Sequence, residues 1–124
     1  LLNKANGKFP QRVCQWVDQK RLQIVIAILE RYLKINLSFF DIYVNIPGEF
    51  VFRDTGLDLA LATAIYSQAK GKIVDKELVF LGELWLWGQI LPTKLHTKRS
   101  NDVKDFTIID NQRIKYITEL PNIL

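Results

Sequence analysis

The chain has 124 residues, 48% of them apolar, and a formal charge of +4. That is the size of one ordinary domain with a real core; no apolar run is long enough to span a bilayer, and nothing at the start resembles a signal peptide. A single cysteine, Cys14, excludes an intramolecular disulfide framework and a multi-cysteine zinc site, and it points to a reducing compartment.

There is no methionine, even at position 1, which is expected of a piece cut from a longer protein. Charge is unevenly spread. Residues 1–36 carry a net +5, residues 37–93 a net −3 and residues 94–124 a net +2. Basic ends favour a polyanion such as nucleic acid, against the plainer reading of a solvated surface.

In chain order, residues 1–9 are polar and basic and read as a linker tail, with Asn6-Gly7 as a turn signal. Gln11 to Val17 alternates weakly, as an edge strand would. Asp18 is placed to cap a helix over Gln19 to Leu33, where Leu22, Val25, Ile26, Leu29 and Leu33 share one face. Phe40 to Ile46 is a strand by alternation, with Ile42, Val44 and Ile46 to one side and Tyr43 and Asn45 to the other. Pro47-Gly48 suits a type II turn into a second strand, Glu49 to Arg53.

The stretch Asp54 to Gln68 organises the rest. Leu57, Leu59, Leu61 and Ile65 are interleaved with Ala60, Ala62 and Ala64, so apolar groups fall on almost every face and the helix should be buried. Thr55 and Asp58 have capping-box spacing. Gly71 lies just past the helix end. Glu77 to Gly82 reads as a strand. Leu84 to Leu86 and Gln89 to Leu91 then form a hairpin about Gly88, closed by Pro92. Thr93 to Val103 is a short helix or a loop. Phe106 to Ile109 and Ile114 to Ile117 read as short strands, and Glu119 to Leu124 as the start of a terminal helix. The expected fold class is α/β (α+β): two layers, a mixed sheet with helices packed on one face.

The stretch Leu78-Val-Phe-Leu-Gly-Glu-Leu-Trp-Leu-Trp-Gly-Gln-Ile-Leu-Pro92 resembles the Lon protease domain family, and so does the strand Asp41-Ile-Tyr-Val-Asn-Ile-Pro-Gly48. Within it, Pro10-Gln-Arg12, Asp18-Gln-Lys-Arg-Leu22, Ala27-Ile-Leu-Glu-Arg31 and Asp58-Leu-Ala-Leu-Ala62 are similar to the C-terminal domain of the RadA/Sms DNA-repair family. The resemblance implies a Lon proteolytic-domain fold over residues 10–124. Active Lon proteases use a serine–lysine dyad, in which a base must sit close enough to take the hydroxyl proton. Gly56 stands where the serine would be and Thr97 where the lysine would be. The resemblance therefore implies a non-proteolytic domain serving ring oligomerisation and DNA contact, with single-stranded or branched DNA as partner, during branch migration. It implies no cofactor here. A DNA-dependent ATPase with its ATP and magnesium, and a zinc finger, would lie in other parts of a parent protein. This chain has neither the cysteine set nor a Gly-x-x-x-x-Gly-Lys-Ser/Thr loop. A bacterial cytoplasm, or an organelle of bacterial origin, is the implied setting. The alternatives are a divergent Ser/Lys peptidase remnant, in which Thr55 pairs with Lys94 or Lys98, and a pure protein-interaction domain.

Two basic groups are candidates for tracking phosphates: Lys4, Lys8, Arg12, Lys20 and Arg21, and then Lys94, Lys98, Arg99 and Lys104. Trp85 and Trp87 alternate with Leu84 and Leu86. If the leucines face the core, the tryptophans face outward and suit a subunit interface or base stacking. His96 has no Cys or His nearby to share a metal and is expected to be satisfied locally. Asp58 is assigned to the helix cap and Glu83 to a turn, so neither is taken for an acid–base pair.

Overall fold

The structure, a computed structural model, describes residues 1–7, 9–15, 17–46, 55–94 and 96–124. The turn and second strand expected over 47–53 lie outside the described residues, as does Lys8.

Strands β1 (Leu2–Lys4), β2 (Arg12–Gln15) and β3 (Phe40–Asn45) form a three-stranded sheet in the order β1-β3-β2. β1 runs antiparallel to β3, with Leu2 opposite Ile42, and β2 runs parallel to it, with Cys14 opposite Val44. Residues 1–9 are thus not a linker tail throughout. Three residues are too few to display a period, and β1 exists because β3 offers its edge. Helix α1 (Gln19–Leu33) makes the crossover that the parallel β2–β3 pair requires. The Asp18 side chain accepts the Lys20 N–H at 2.9 Å, as expected of the cap. The helix buries Leu22, Val25, Ile26, Ile28 and Leu29, and it ends at Lys34 in the left-handed region, φ 57°. The predicted alternation in β3 holds: Ile42 is fully buried, Val44 packs on the core, and Tyr43 and Asn45 are exposed.

A 3-10 turn, Thr55–Leu57, leads into α2 (Asp58–Lys70). α2 packs against α1 and buries Leu59, Ala62, Thr63, Ile65 and Tyr66. Of the interleaved alanines only Ala62 is buried, whereas Ala60 is half-buried and Ala64 exposed, so the helix is not covered on every face as expected. Gly71, at φ 62°, ends the helix with its N–H bonded back to the last turn, as the sequence predicts. The capping box does not form. Leu57 is the cap residue and no side chain caps the helix. Asp58 has a stronger partner, described below.

β4 (Leu78–Phe80) pairs in parallel with β7 (Thr107–Ile109), and β5 (Glu83–Leu84) pairs antiparallel with β6 (Ile90–Leu91). Between them lies the seven-residue helix α3 (His96–Asp102), which has no buried residue. The expected mixed sheet is therefore one mixed three-stranded sheet plus two two-stranded ladders, and the α/β class stands. The β5 strand stops at Leu84. Trp85 to Gly88 is a turn, with the Gly88 N–H on the Trp85 carbonyl at 2.8 Å. Gly88 takes φ 82°, and a Cβ there would come within 3.3 Å of the Tyr32 ring.

No strand forms over 114–117. Only Tyr116 makes a bridge, to Gln89, and Ile117–Asn122 is a 3-10 segment rather than the expected helix over Glu119 to Leu124. Ile114, Ile117 and Leu120 are all buried. Their spacing of three suits a 3-10 turn, in which side chains three apart eclipse. The segment packs against α1 and closes the core.

Candidate functional site

Three elements meet at the start of α2. The Asp58 side chain is 2% exposed, and a carboxylate so far from water must be paired. Arg21, in the first turn of α1, supplies the charge. Its Nε donates to both carboxylate oxygens, at 2.9 and 3.0 Å, and its Nη2 donates to Oδ2 as well. Nη2 also donates to the Leu84 carbonyl at 2.7 Å, while the Leu84 N–H donates to Asp58 Oδ2 at 2.9 Å. Leu59 N–H bonds to Gly82 O, and Gly82 N–H bonds to Gly56 O. The result is a closed node joining α1, α2 and β5. Burial pushes the Asp58 carboxyl above its ordinary value, and the bonds from Arg21 and Leu84 pull it part of the way back. The bond to Asp58 raises Arg21 in turn and keeps it a cation.

Beside the node is an apolar cavity of about 250 Å³, with Val44, Ile46, Leu57 and Leu61 among its walls and Arg21 and Asp58 at its edge. Gly56 is buried in the 3-10 turn and has no side chain to offer. Thr97 is exposed on α3 and lines a different cleft. Thr55 is half-buried, whereas Lys94 and Lys98 are exposed on the α3 arm.

The basic candidates divide by environment. Arg12 donates to the carbonyls of Leu37, at 2.8 Å, and Phe40, and so fastens the loop between α1 and β3. Arg21 belongs to the node. Both guanidinium groups are engaged within the fold. Lys4 and Lys20 are exposed on β1 and on the first turn of α1, and Lys94, Lys98 and Lys104 on and around α3. Arg99 is half-buried on the same helix. Cys14 has its sulfur 3.2 Å from Val17 O and 2.9 Å from Gln19 Oε1, and burial raises its thiol. His96 is satisfied locally: its Nε2 lies 3.0 Å from Asp110 Oδ2.

Trp85 and Trp87 face outward, 48% and 75% exposed. Their place corrects the strand picture, because Leu86 is also out, at 66%, and only Leu84 faces the core. The Tyr32 hydroxyl donates to the Leu86 carbonyl at 2.9 Å and steadies the turn. Trp85-Leu86-Trp87 is therefore an apolar tip carried on a held hairpin turn.

Sequence reasoning missed the Arg21–Asp58 pair, since the partners lie 37 positions apart and each had a local explanation. It also missed Arg113, which the fold brings to the cleft of Thr97. The spacing of Thr97, Ser100 and Asn101 at i, i+3 and i+4 is the signal that marks one polar helix face there.

The structure is thus an α/β domain in which buried Asp58 is closed on half-buried Arg21, with lysines and tryptophans exposed elsewhere. Named proteins are similar to this sequence. It is 39% identical over 86 residues, 69% of this chain, to a protein of Campylobacter jejuni named DNA repair protein RadA. Proteins of the same name from Synechocystis and Aquifex aeolicus are 34% and 36% identical, over 94% and 78% of the chain. The chain spans only 19–25% of the length of these three relatives. Similarity at this level supports the RadA family for the segment it covers. No protein-family model matches the chain.

Proposed function

We propose that this chain is a non-proteolytic, Lon-like domain of a RadA-type DNA repair protein, serving ring assembly and DNA contact. The observation that supports it best is the division of polar groups just described. The buried charges are closed on each other at the α2 start, and the cations and large aromatics are presented outward on α3 and on the β5–β6 turn. The position of the Lon serine holds Gly56, and that of the lysine holds Thr97 on the exposed arm, so neither supplies dyad chemistry. Exposed lysines suit sequence-independent phosphate contact. The Trp85-Leu86-Trp87 tip is the larger apolar projection and suits contact with a second copy. Branch migration would be powered elsewhere in the parent protein, and its zinc, ATP and magnesium would bind there. A bacterial cytoplasm fits this role.

Two measurements on the isolated chain test the reading. Incubation with an unstructured peptide should leave it intact. Cleavage that disappears in Thr55→Ala would instead favour a peptidase remnant. Light scattering across a concentration series should report self-association that Trp85→Ser with Trp87→Ser abolishes. A chain monomeric at all concentrations, with no affinity for DNA, would leave only a protein-interaction domain.

A further inference from the structure

The cleft between α3 and the segment following β7 has about 520 Å³ of space, within the range of about 300–1,000 Å³ typical of ligand sites. From α3, the hydroxyls of Thr97 and Ser100 and the amide of Asn101 line it. From the other wall come Gln112 and Arg113, and Ile108 provides an apolar patch. Asp110 is the one carboxylate in the lining, and both its oxygens are engaged. Oδ1 accepts the Gln112 backbone N–H at 3.0 Å, and Oδ2 accepts from His96 Nε2 at 3.0 Å. A carboxylate acceptor requires the proton on Nε2, so His96 serves as a donor there. An incoming group would meet donors from two hydroxyls, two amides and a guanidinium, whose fork matches a phosphate, beside this one engaged carboxylate.

We propose that this cleft is a phosphodiester-binding site for a single strand of DNA, with Arg113 as its principal cation. The proposal rests on the DNA-contact reading and locates it. Three features favour a strand over a free phosphate. The cleft is open along the surface. Lys94, Lys98 and Lys104 are exposed on and around the same helix and outnumber the exposed Asp102 and Asp105 there. Ile108 offers a sugar or base something other than charge.

The test uses the whole 124-residue chain and a fluorescent oligothymidylate, read by anisotropy at several salt concentrations. Arg113→Gln should weaken binding about three-fold and reduce the slope of log affinity against log salt by about 0.7, the value for one phosphate contact to a single strand. Ser100→Ala should weaken it less. Lys72→Gln, at the far end of α2, should do neither. Side-chain amide signals of Asn101 and Gln112 should shift on adding the oligonucleotide, while thymidine monophosphate and inorganic phosphate at the same phosphate concentration leave them in place. Equal response to the small anions would overturn the strand as occupant. Binding that persists unchanged in Arg113→Gln and Ser100→Ala would overturn this site and leave the DNA reading standing. No binding by the unaltered chain would overturn both.

Discussion

The start of α2 and the α3 arm make an instructive pair. In the first, Arg21, Asp58 and Leu84 arrive from three elements and hydrogen-bond to one another. In the second, a seven-residue helix with no buried side chain is tied down by His96 on Asp110 and leaves Thr97, Lys98 and Asn101 facing water. Burial accounts for the difference. A charge removed from water is tolerated only when closed on a partner, which fixes it and makes it unavailable. A charge at the surface costs little to keep and can meet another molecule.

Breaking the node should give the largest effect. Asp58→Ala leaves the Leu84 N–H and the partly exposed Arg21 without their acceptor and should lower unfolding stability in urea by about 3 kcal/mol. Replacing both partners with leucine should recover much of that loss, since the uncompensated charge goes too. A single variant as stable as the parent would show that the pair is not what fixes this region. Gly82→Ala is next. Its new Cβ would lie 2.8 Å from Ile90 Cγ2, on a side chain only 2% exposed, and overpacking of this kind costs about 1–3 kcal/mol.

The node should also titrate. Burial holds the Asp58 carboxyl above its ordinary 3.8, so the native state binds this proton more tightly than the unfolded chain does. The associated stability is full below 3.8 and is lost as pH rises through the raised native value. Asp58→Asn cannot titrate. The parent's stability relative to that variant should fall as pH climbs from 3.8, and a flat difference would contradict the shift. The arms should behave in the opposite manner. Trp87→Ser should change stability by no more than about 0.5 kcal/mol while weakening self-association, because that ring is already 75% exposed.

The regularly patterned parts of the fold were legible in the sequence. The Asp18 cap and the apolar face of α1, the alternation of β3 and the Gly71 stop are local signals, and each is where it was expected. What the chain does at a distance was not legible. β1 is a strand only because β3 is beside it. Asp58 seemed a cap because Thr55 stood at the right spacing, and its real partner comes from a helix 37 positions earlier. The hairpin turn begins at Trp85, not after Leu86, because pairing between β5 and β6 is only two residues long. Outward tryptophans followed from alternation, but the exposure of Leu86 between them did not. On the α3 side the lysines were visible as a basic run, whereas Arg113 joined them only through the fold.

The affinity of the chain for labelled single-stranded DNA at low and at raised salt, compared with that of Lys94→Gln/Lys98→Gln, tests the outward-facing cations. Binding should weaken steeply with salt, and the double variant should bind about ten-fold less tightly, as expected for two lost phosphate contacts. An affinity indifferent to both salt and substitution, or none at low salt, would contradict a surface that meets DNA.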